Sequence, residues 1–167
     1  MLIRHTRILN PVGVCYGRTD LPLAPTFAAE ATVVRGELGG IVSIVYTSPA
    51  RRCRQLAQTL GAAEVCIDDR LLELDFGDWE NRAWNDLPRA EVDAWAANFV
   101  DNAPPGGETF RALAARVHAF RNESSRDGAI IVTHAGVIRA WLCAVHGRPL
   151  EAAFAYHVGF GEVVSCH

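Results

Sequence analysis

The chain of 167 residues has no lysine, so all sixteen of its basic residues are arginine. A coding bias can explain this composition. It still means that any anion site must use arginine, histidine, backbone N–H groups or helix N-termini. A lysine-dependent P-loop is excluded, and the GxxxxGK[ST] pattern does not occur. The net charge of −3 provides no basic field, so no nucleic-acid partner is expected.

Long apolar runs are also missing. No stretch approaches the ~18 apolar residues of a membrane-spanning helix, and the N-terminus lacks the charged and apolar regions of a signal peptide. We therefore expect no membrane association and a cytoplasmic location. Half of the residues are hydrophobic and 21% are charged, as in ordinary globular proteins, and residues 1–167 are predicted to form one domain.

The cysteines are odd in number, scattered, and never arranged as CxxC, which favours reduced thiols. Neither they nor the histidines have the spacing of zinc ligands, so no metal or cofactor is predicted. A GxSxG nucleophile elbow is absent, and no cysteine is placed to suggest a nucleophile, which would need a phosphate-cradling loop or a nearby base. Serine, cysteine and metal chemistry are therefore disfavoured. The five cysteines are Cys15, Cys53, Cys66, Cys143 and Cys166.

Strand and helix patterns alternate along the chain, which predicts an α/β sandwich with a largely parallel sheet and helices on both faces. Apolar runs predict strands at residues 1–3, 41–46, 64–67, 129–133, 154–157 and 162–166. Helical spacing predicts helices at residues 26–38, 49–60, 88–100, 110–120 and 137–145. Residues 6–25 are rich in glycine and proline and are predicted to form a long loop that could wall a pocket.

Two predicted strands end in a histidine. Arg4 and His5 follow the first strand, and His134 follows the strand at 129–133 and precedes a helix. Ligands bind at the carboxyl ends of strands in open α/β sheets, and Gly136 permits a close backbone approach. Each histidine also has an ordinary interpretation, because Arg-His pairs are common and His134 could be a capping or core residue.

Two further segments place charged residues where a bound anion or a catalytic acid could account for them. Ser48 and Pro49 predict a helix start, and the next turn holds three arginines at the positive end of the helix dipole. A bound anion would relieve that conflict, although three solvated arginines are the alternative. Residues 71–80 place four carboxylates among large apolar groups, where burial would favour the protonated form that a general acid needs. A surface loop with exposed acids is the alternative there.

With serine, cysteine and metal chemistry disfavoured, the remaining candidate is a histidine nucleophile with arginines that hold the substrate. Histidine and arginine side chains together suit phosphoryl transfer. In addition, an ordered set of motifs resembles the histidine phosphatase superfamily, which has the phosphoglycerate-mutase-like fold. The motifs are Leu2-Ile3-Arg4-His5-Thr6, Tyr46-Thr47-Ser48-Pro49 with Arg52 and Gln55, the segment 72–80, Gly106-Gly107-Glu108-Thr109 and Val132-Thr133-His134-Ala135-Gly136.

The resemblance implies a role for each matching residue. His5 would be the phosphohistidine nucleophile and Glu73 the proton donor. Arg4, Arg52 and His134 would bind phosphate, without metal or cofactor. Weaker matches imply that the substrate or its phosphate contacts Asn10, Tyr16 and Gly17.

Departures from the family pattern point to a branch. Thr6 and Arg7 replace the usual glycine and Glu/Gln, Leu56 replaces a common threonine, and Asn81 replaces a common glycine. Arg-His-Thr, together with segments 15–23 and 133–139, is similar to α-ribazole phosphatases of cobalamin biosynthesis. This implies a small phosphomonoester substrate, α-ribazole 5′-phosphate or adenosylcobalamin 5′-phosphate. The alternatives are a broad-specificity phosphatase, a phosphoglycerate-type mutase, and a non-catalytic phosphate-binding relative.

Overall fold

The computed structural model of the protein describes residues 1–10, 12–123, 126 and 128–165. The strands in these residues are β1 (Leu2–Arg4), β2 (Ile44–Thr47), β3 (Glu64–Ile67), β4 (Ile130–Thr133) and β5 (Val163–Val164). The α-helices are α1 (Phe27–Leu38), α2 (Arg51–Thr59), α3 (Arg89–Ala97), α4 (Phe110–Glu123) and α5 (Ala135–Val145). Short 3₁₀ turns occur at Asp69–Leu71, Gly77–Trp79, Trp84–Asp86 and Leu150–Ala155.

The five strands form one sheet in the order β3-β2-β4-β1-β5. The four strands from β3 to β1 are parallel, and β5 pairs antiparallel with β1 at the edge. β1 and β4 are therefore neighbours in the sheet, although the helices α1 to α4 lie between them in the sequence. This arrangement brings the ends of β1, β2 and β4 to one edge of the sheet.

Alternate residues of the strands face two separate apolar layers. Leu2, Tyr46 and Ile131 contact the core of α4 and α5, whereas Ile3, Val45 and Val132 contact the core of α1 and α2. Burying each large apolar side chain contributes about 1.5–3 kcal/mol, so both helix layers are fixed to the sheet. The predicted sandwich, with helices on both faces of a largely parallel sheet, is confirmed.

Some predicted elements differ from the structure. The second strand begins at Ile44 rather than residue 41, because the Ile41 side chain is 98% exposed and packs against nothing. Residues 154–157 are not a strand. Phe154 and Ala155 end the 3₁₀ turn Leu150–Ala155, in which Ala153 is buried, and Tyr156 follows as its extended cap. The last strand is confined to Val163–Val164, and Cys166 of the predicted strand lies outside the described residues.

The start of α2 also differs. The helix begins at Arg51 rather than Pro49, because the Ser48 hydroxyl is engaged by a histidine and not only by the helix. Asp20 provides the cap instead, and its carboxylate accepts the Arg51 N–H at 3.0 Å. The other helices lie within about three residues of their predicted bounds. Among the described residues, no helix is both long enough and apolar enough to cross a bilayer.

Candidate active site

The carboxyl edge of the sheet brings together the predicted histidines and Arg52. His5 directly follows β1 and donates its backbone N–H to the Thr133 carbonyl at 2.9 Å. His134 directly follows β4, and the two imidazole centroids are 5.3 Å apart. Arg52 comes from the first turn of α2, just beyond β2. His5, His134 and Arg52 are 2%, 0% and 0% exposed, so the sheet buries three polar side chains at one point.

His5 has one ring nitrogen engaged and one available. Its Nδ1 lies 2.8 Å from the Thr6 carbonyl oxygen, which can only accept, so Nδ1 carries the hydrogen and Nε2 is the free base. Burial, followed by the charge of Arg52, lowers the pKa of His5 from 6.5 to about 3, although the hydrogen bond to Thr6 opposes this. The imidazole is therefore neutral near pH 7, as a nitrogen nucleophile must be.

His134 is oriented by two neighbours. Its Nδ1 lies 3.2 Å from Nη2 of Arg52, a group that can only donate, and its Nε2 lies 2.8 Å from the Ser48 hydroxyl. Nε2 therefore carries the hydrogen and donates to Ser48. Burial and the charge of Arg52 lower the pKa of His134 well below its usual value, so this ring is neutral as well.

Arg52 joins the sheet edge to the loop of residues 6–25. Its guanidinium donates to the carbonyls of Thr19 at 2.7 Å and Gly17 at 2.5 Å, and Nη1 also contacts Asp20 at 3.2 Å. Its Nε is buried and has no hydrogen-bond partner in the part of the chain that the structure describes. Arg51 and Arg54, the neighbouring arginines, are exposed. The structure thus distinguishes one buried arginine in this turn from two solvated ones.

Arg4 lies on the other side of His5. Its Nη1 donates to the Val158 carbonyl at 2.7 Å, and the guanidinium carbon lies 3.7 Å from the centroid of the Phe160 ring. The Phe160 ring is also 5.5 Å from the His5 ring. Two more buried polar atoms, Arg4 Nε and the Thr6 hydroxyl oxygen, have no hydrogen-bond partner among the described residues. Together with Arg52 Nε, they belong to the two sequence neighbours of His5 and to the arginine whose charge acts on it.

Glu73 comes from an irregular segment rather than from a strand end. Its carboxylate accepts the N–H of Gly136 at 3.1 Å, which places it at the start of α5, two residues beyond His134. A β-carbon at Gly136 would lie 2.3 Å from Glu73 Oε1, so this contact requires glycine. Arg116 fixes the segment by donating to the carbonyls of Leu72 at 2.6 Å and Glu73 at 3.1 Å.

The three residues that match the family pattern more weakly, Asn10, Tyr16 and Gly17, have different surroundings. The Asn10 side chain closes its own turn, with hydrogen bonds to the N–H and carbonyl of Val14. The Tyr16 ring lies 5.5 Å from the Arg52 guanidinium carbon, and burial raises the pKa of its hydroxyl although Arg4 and Arg52 oppose this. At Gly17, a β-carbon would lie 1.8 Å from the Leu74 carbonyl, so only glycine fits.

Sequence reasoning gave no role to Glu80, which organises the loop beside the site. Its carboxylate accepts three consecutive backbone N–H groups, from Gly17 at 3.1 Å and from Arg18 and Thr19 at 2.8 Å each. Burial raises the pKa of Glu80, but these hydrogen bonds outweigh it and leave the pKa below its usual value. Glu80 lies in the same acidic segment as Glu73, and no sequence pattern separates a carboxylate that orders a loop from one that donates a proton.

The backbone of Asn81 explains one departure from the family pattern. It has a φ of 63°, a left-handed conformation that glycine adopts freely and that asparagine tolerates better than most residues.

Besides Glu80, sequence reasoning missed three residues that contact the site residues. They are Ser48, the partner of His134, Phe160, whose ring lies against Arg4, and Arg116, which holds the Glu73 segment. In the described part of the chain, no three histidine, cysteine or acidic side chains are grouped as metal ligands would be.

Residues 1–167 match the family model of the Histidine phosphatase superfamily (branch 1). The chain belongs to the histidine phosphatase superfamily. Its relatives include the Adenosylcobalamin/alpha-ribazole phosphatase of Escherichia coli K12, which is 28% identical over 172 residues and matches 96% of this chain and 85% of its own length. This histidine phosphatase is therefore an enzyme that hydrolyses phosphate esters.

Other relatives of the histidine phosphatase have different names. A Hydrogenobacter thermophilus protein whose name refers to phosphoserine is 29% identical over 177 residues, covering 99% of this chain and 87% of that protein. The crystal structure of the alpha-ribazole phosphatase from Shigella flexneri superposes with a TM-score of 0.87 at 28% identity, over 96% of this chain and 85% of that one. The fold and the phosphatase class agree among these relatives, whereas the substrate does not.

Proposed function

We propose that the chain hydrolyses a small phosphomonoester through a phosphohistidine on His5. The supporting observation is that His5 has a free Nε2, and that Arg4, Thr6 and Arg52 each keep a buried polar atom without a hydrogen-bond partner among the described residues. A phosphate group bound there would supply the missing acceptors. Neutral imidazole and fixed guanidinium groups are the requirements for phosphoryl transfer without a metal, since that chemistry depends mainly on positioning and charge stabilisation.

The proposed cycle has two steps. His5 Nε2 attacks phosphorus in line and the P–O bond to the leaving alcohol breaks, while Glu73 donates a proton to the leaving oxygen. Water then attacks the phosphohistidine, Glu73 takes its proton, and the P–N bond breaks to release phosphate. Arg4, Arg52 and His134 bind the equatorial oxygens in both steps. To bind a phosphate oxygen, His134 would carry its hydrogen on Nδ1 and give up the Arg52 contact that Nδ1 accepts in this structure. The Ser48 hydroxyl can then donate to Nε2, because a hydroxyl both donates and accepts.

The substrate we propose is α-ribazole 5′-phosphate or adenosylcobalamin 5′-phosphate. The names of the Escherichia coli and Shigella flexneri relatives support it, as does the Arg-His-Thr sequence at residues 4–6. Asn10, Tyr16 and Gly17 are proposed to line its path. We further propose that residues 1–167 act as one catalytic domain.

A phosphoglycerate-type mutase is the second candidate, because a Mesorhizobium japonicum relative named as such a mutase is 27% identical. A mutase must retain its product for rephosphorylation, which calls for extra cations near the leaving group. After Glu73, the arginines of the next segment are engaged elsewhere: Arg82 donates to the Asp86 carbonyl, and Arg89 pairs with Asp93. Net hydrolysis is therefore favoured over mutase activity. Binding without turnover is disfavoured on a different ground, because a residue is present for each of the four core roles of the proposed cycle.

The decisive experiment combines a variant with trapping of the intermediate. His5→Ala should lose activity on α-ribazole 5′-phosphate and on p-nitrophenyl phosphate by at least about 10⁴-fold, as expected for a nucleophile. Rapid quenching of the wild type should yield an acid-labile, base-stable phosphoenzyme. Substantial activity in His5→Ala would refute the nucleophile assignment. Comparing kcat/KM for α-ribazole 5′-phosphate, 3-phosphoglycerate and simple monoesters then tests the substrate.

A further inference from the structure

A partly enclosed pocket of about 90 Å³ lies directly beside Glu73. Five aromatic side chains line it, together with Leu74 and Gly136, and its charged lining groups are the Glu73 carboxylate and the Arg139 guanidinium. The aromatic residues are Phe76, Trp95, Phe99, Phe110 and Phe154. No step of the proposed cycle uses these rings, although the pocket shares a wall with its proton donor.

We propose that this pocket receives an aromatic ring edge of the leaving alcohol. The inference rests on the proposed function, because it requires Glu73 to protonate the leaving oxygen. That oxygen must lie within hydrogen-bond distance of the Glu73 carboxylate. The group attached to the oxygen then extends past Gly136, which both lines the pocket and donates to Glu73.

The aromatic walls are arranged to contact a ring. Phe99 and Phe154 pack edge to face with centroids 4.7 Å apart, and Phe99 is 5.6 Å from Phe110. A further ring inserted among them would continue the tilted and edge-to-face contacts that aromatic groups prefer. The volume of about 90 Å³ is smaller than the ~150 Å³ of a dry cavity that holds a whole benzene. The pocket therefore fits the substituted edge of a ring rather than a complete bicyclic group.

The charges of the pocket argue against an acidic leaving group. Arg139 is the cation on its wall among the described residues, and it is already engaged, with Nε donating to the Tyr156 carbonyl at 3.1 Å. Its guanidinium carbon also lies 5.0 Å from the centroid of the Phe154 ring. The carboxylate of phosphoserine or 3-phosphoglycerate would enter among aromatic rings and beside Glu73, which penalises a negative charge.

The test uses the ratio of kcat/KM for 1-naphthyl phosphate to kcat/KM for ethyl phosphate. In Phe99→Ala and in Phe154→Ala this ratio should fall about tenfold, since a buried aromatic contact is lost only for the naphthyl ester. Phe154 is 56% exposed, so its removal leaves the fold intact. Phe27→Ala is the matched control, because Phe27 is half-buried on α1, outside the pocket, and this variant should keep the wild-type ratio.

An unchanged ratio in both pocket variants, with folding verified by thermal unfolding, would overturn the inference. If Arg139→Gln then also showed a tenfold loss for phosphoserine, the pocket would be a carboxylate site. Failure of the proposed function looks different: no phosphoenzyme would then form from either ester in the wild type.

Discussion

The phosphate side and the leaving-group side of this site are built differently. His5, Arg52 and His134 follow strands or begin a helix, are almost fully buried, and are oriented by short contacts to backbone or to one another. Glu73 lies in an irregular, half-exposed segment, which is held by Arg116 of α4, a helix remote from it in sequence. The sheet determines the first group, and loop packing determines the second. Changes on the phosphate side should therefore affect every substrate, whereas changes near Glu73 should depend on the leaving group.

After the loss expected for His5→Ala, the largest effect should come from Arg52. Arg52→Lys should lower kcat/KM about 10³-fold, or about 4 kcal/mol, for all phosphomonoesters, because a single ammonium cannot replace the four contacts to Thr19, Asp20, Gly17 and His134. Arg51→Lys is the matched control at an exposed adjacent position and should behave as wild type. Steady-state kinetics on two unrelated esters measures both variants. If the loss differed strongly between the two esters, the phosphate side would not act independently of the leaving group.

Next in size is the effect of Glu73, which should depend on the leaving group. Glu73→Gln should lower kcat/KM about 10²-fold for ethyl phosphate, whose alkoxide needs a proton, and less than about tenfold for p-nitrophenyl phosphate. The amide still accepts the Gly136 N–H, so the geometry is preserved. A plot of log kcat/KM against leaving-group pKa, for the wild type and the variant, measures the difference. Parallel lines would contradict the role as proton donor.

The buried histidines should make stability depend on pH. His5 has a folded pKa of about 3 against 6.5 when unfolded, so between these values the unfolded chain binds a proton that the folded chain does not. The free energy of unfolding should therefore be highest above pH 6.5 and fall as pH decreases, by about 2 kcal/mol at pH 5 from this group alone. Urea titrations of the wild type and His5→Gln at pH 7.5 and 5 should show the smaller loss in the variant. Equal losses would mean that His5 is not the source.

The smallest effect should come from Asp20. Its carboxylate is 43% exposed, and Arg52 keeps its two carbonyl acceptors without it. Asp20→Asn retains an oxygen acceptor for the Arg51 N–H, and the carboxylate faces solvent although Arg52 is buried, so stability should change by less than about 1 kcal/mol. Thermal unfolding and kinetics measure both quantities. A large loss would place Asp20 among the groups that hold the phosphate side together.

The same division explains which features sequence reasoning could find. His5 and His134 were identifiable because an apolar run predicts a strand, and the residue after a parallel strand must lie at the carboxyl edge. The resemblance to the family then distinguished Arg52 from Arg51. Nothing local connects Arg116 to Glu73 or Glu80 to Gly17, because those contacts depend on how irregular segments fold over one another. The helix start was misplaced for a similar reason, since Asp20 caps α2 from 31 residues away.

The position of β1 in the sheet has a consequence for how the protein acquires its activity. Among the described residues, β1 pairs only with β4 and β5, which are more than 120 residues further along the chain. During synthesis, its apolar residues stay unpaired until most of the polypeptide has emerged, a period in which exposed strands are prone to aggregate. Pairing between such distant segments is also slow to nucleate. The two histidines can meet only at that late step, so recovery of phosphatase activity should report the final docking of the first strand.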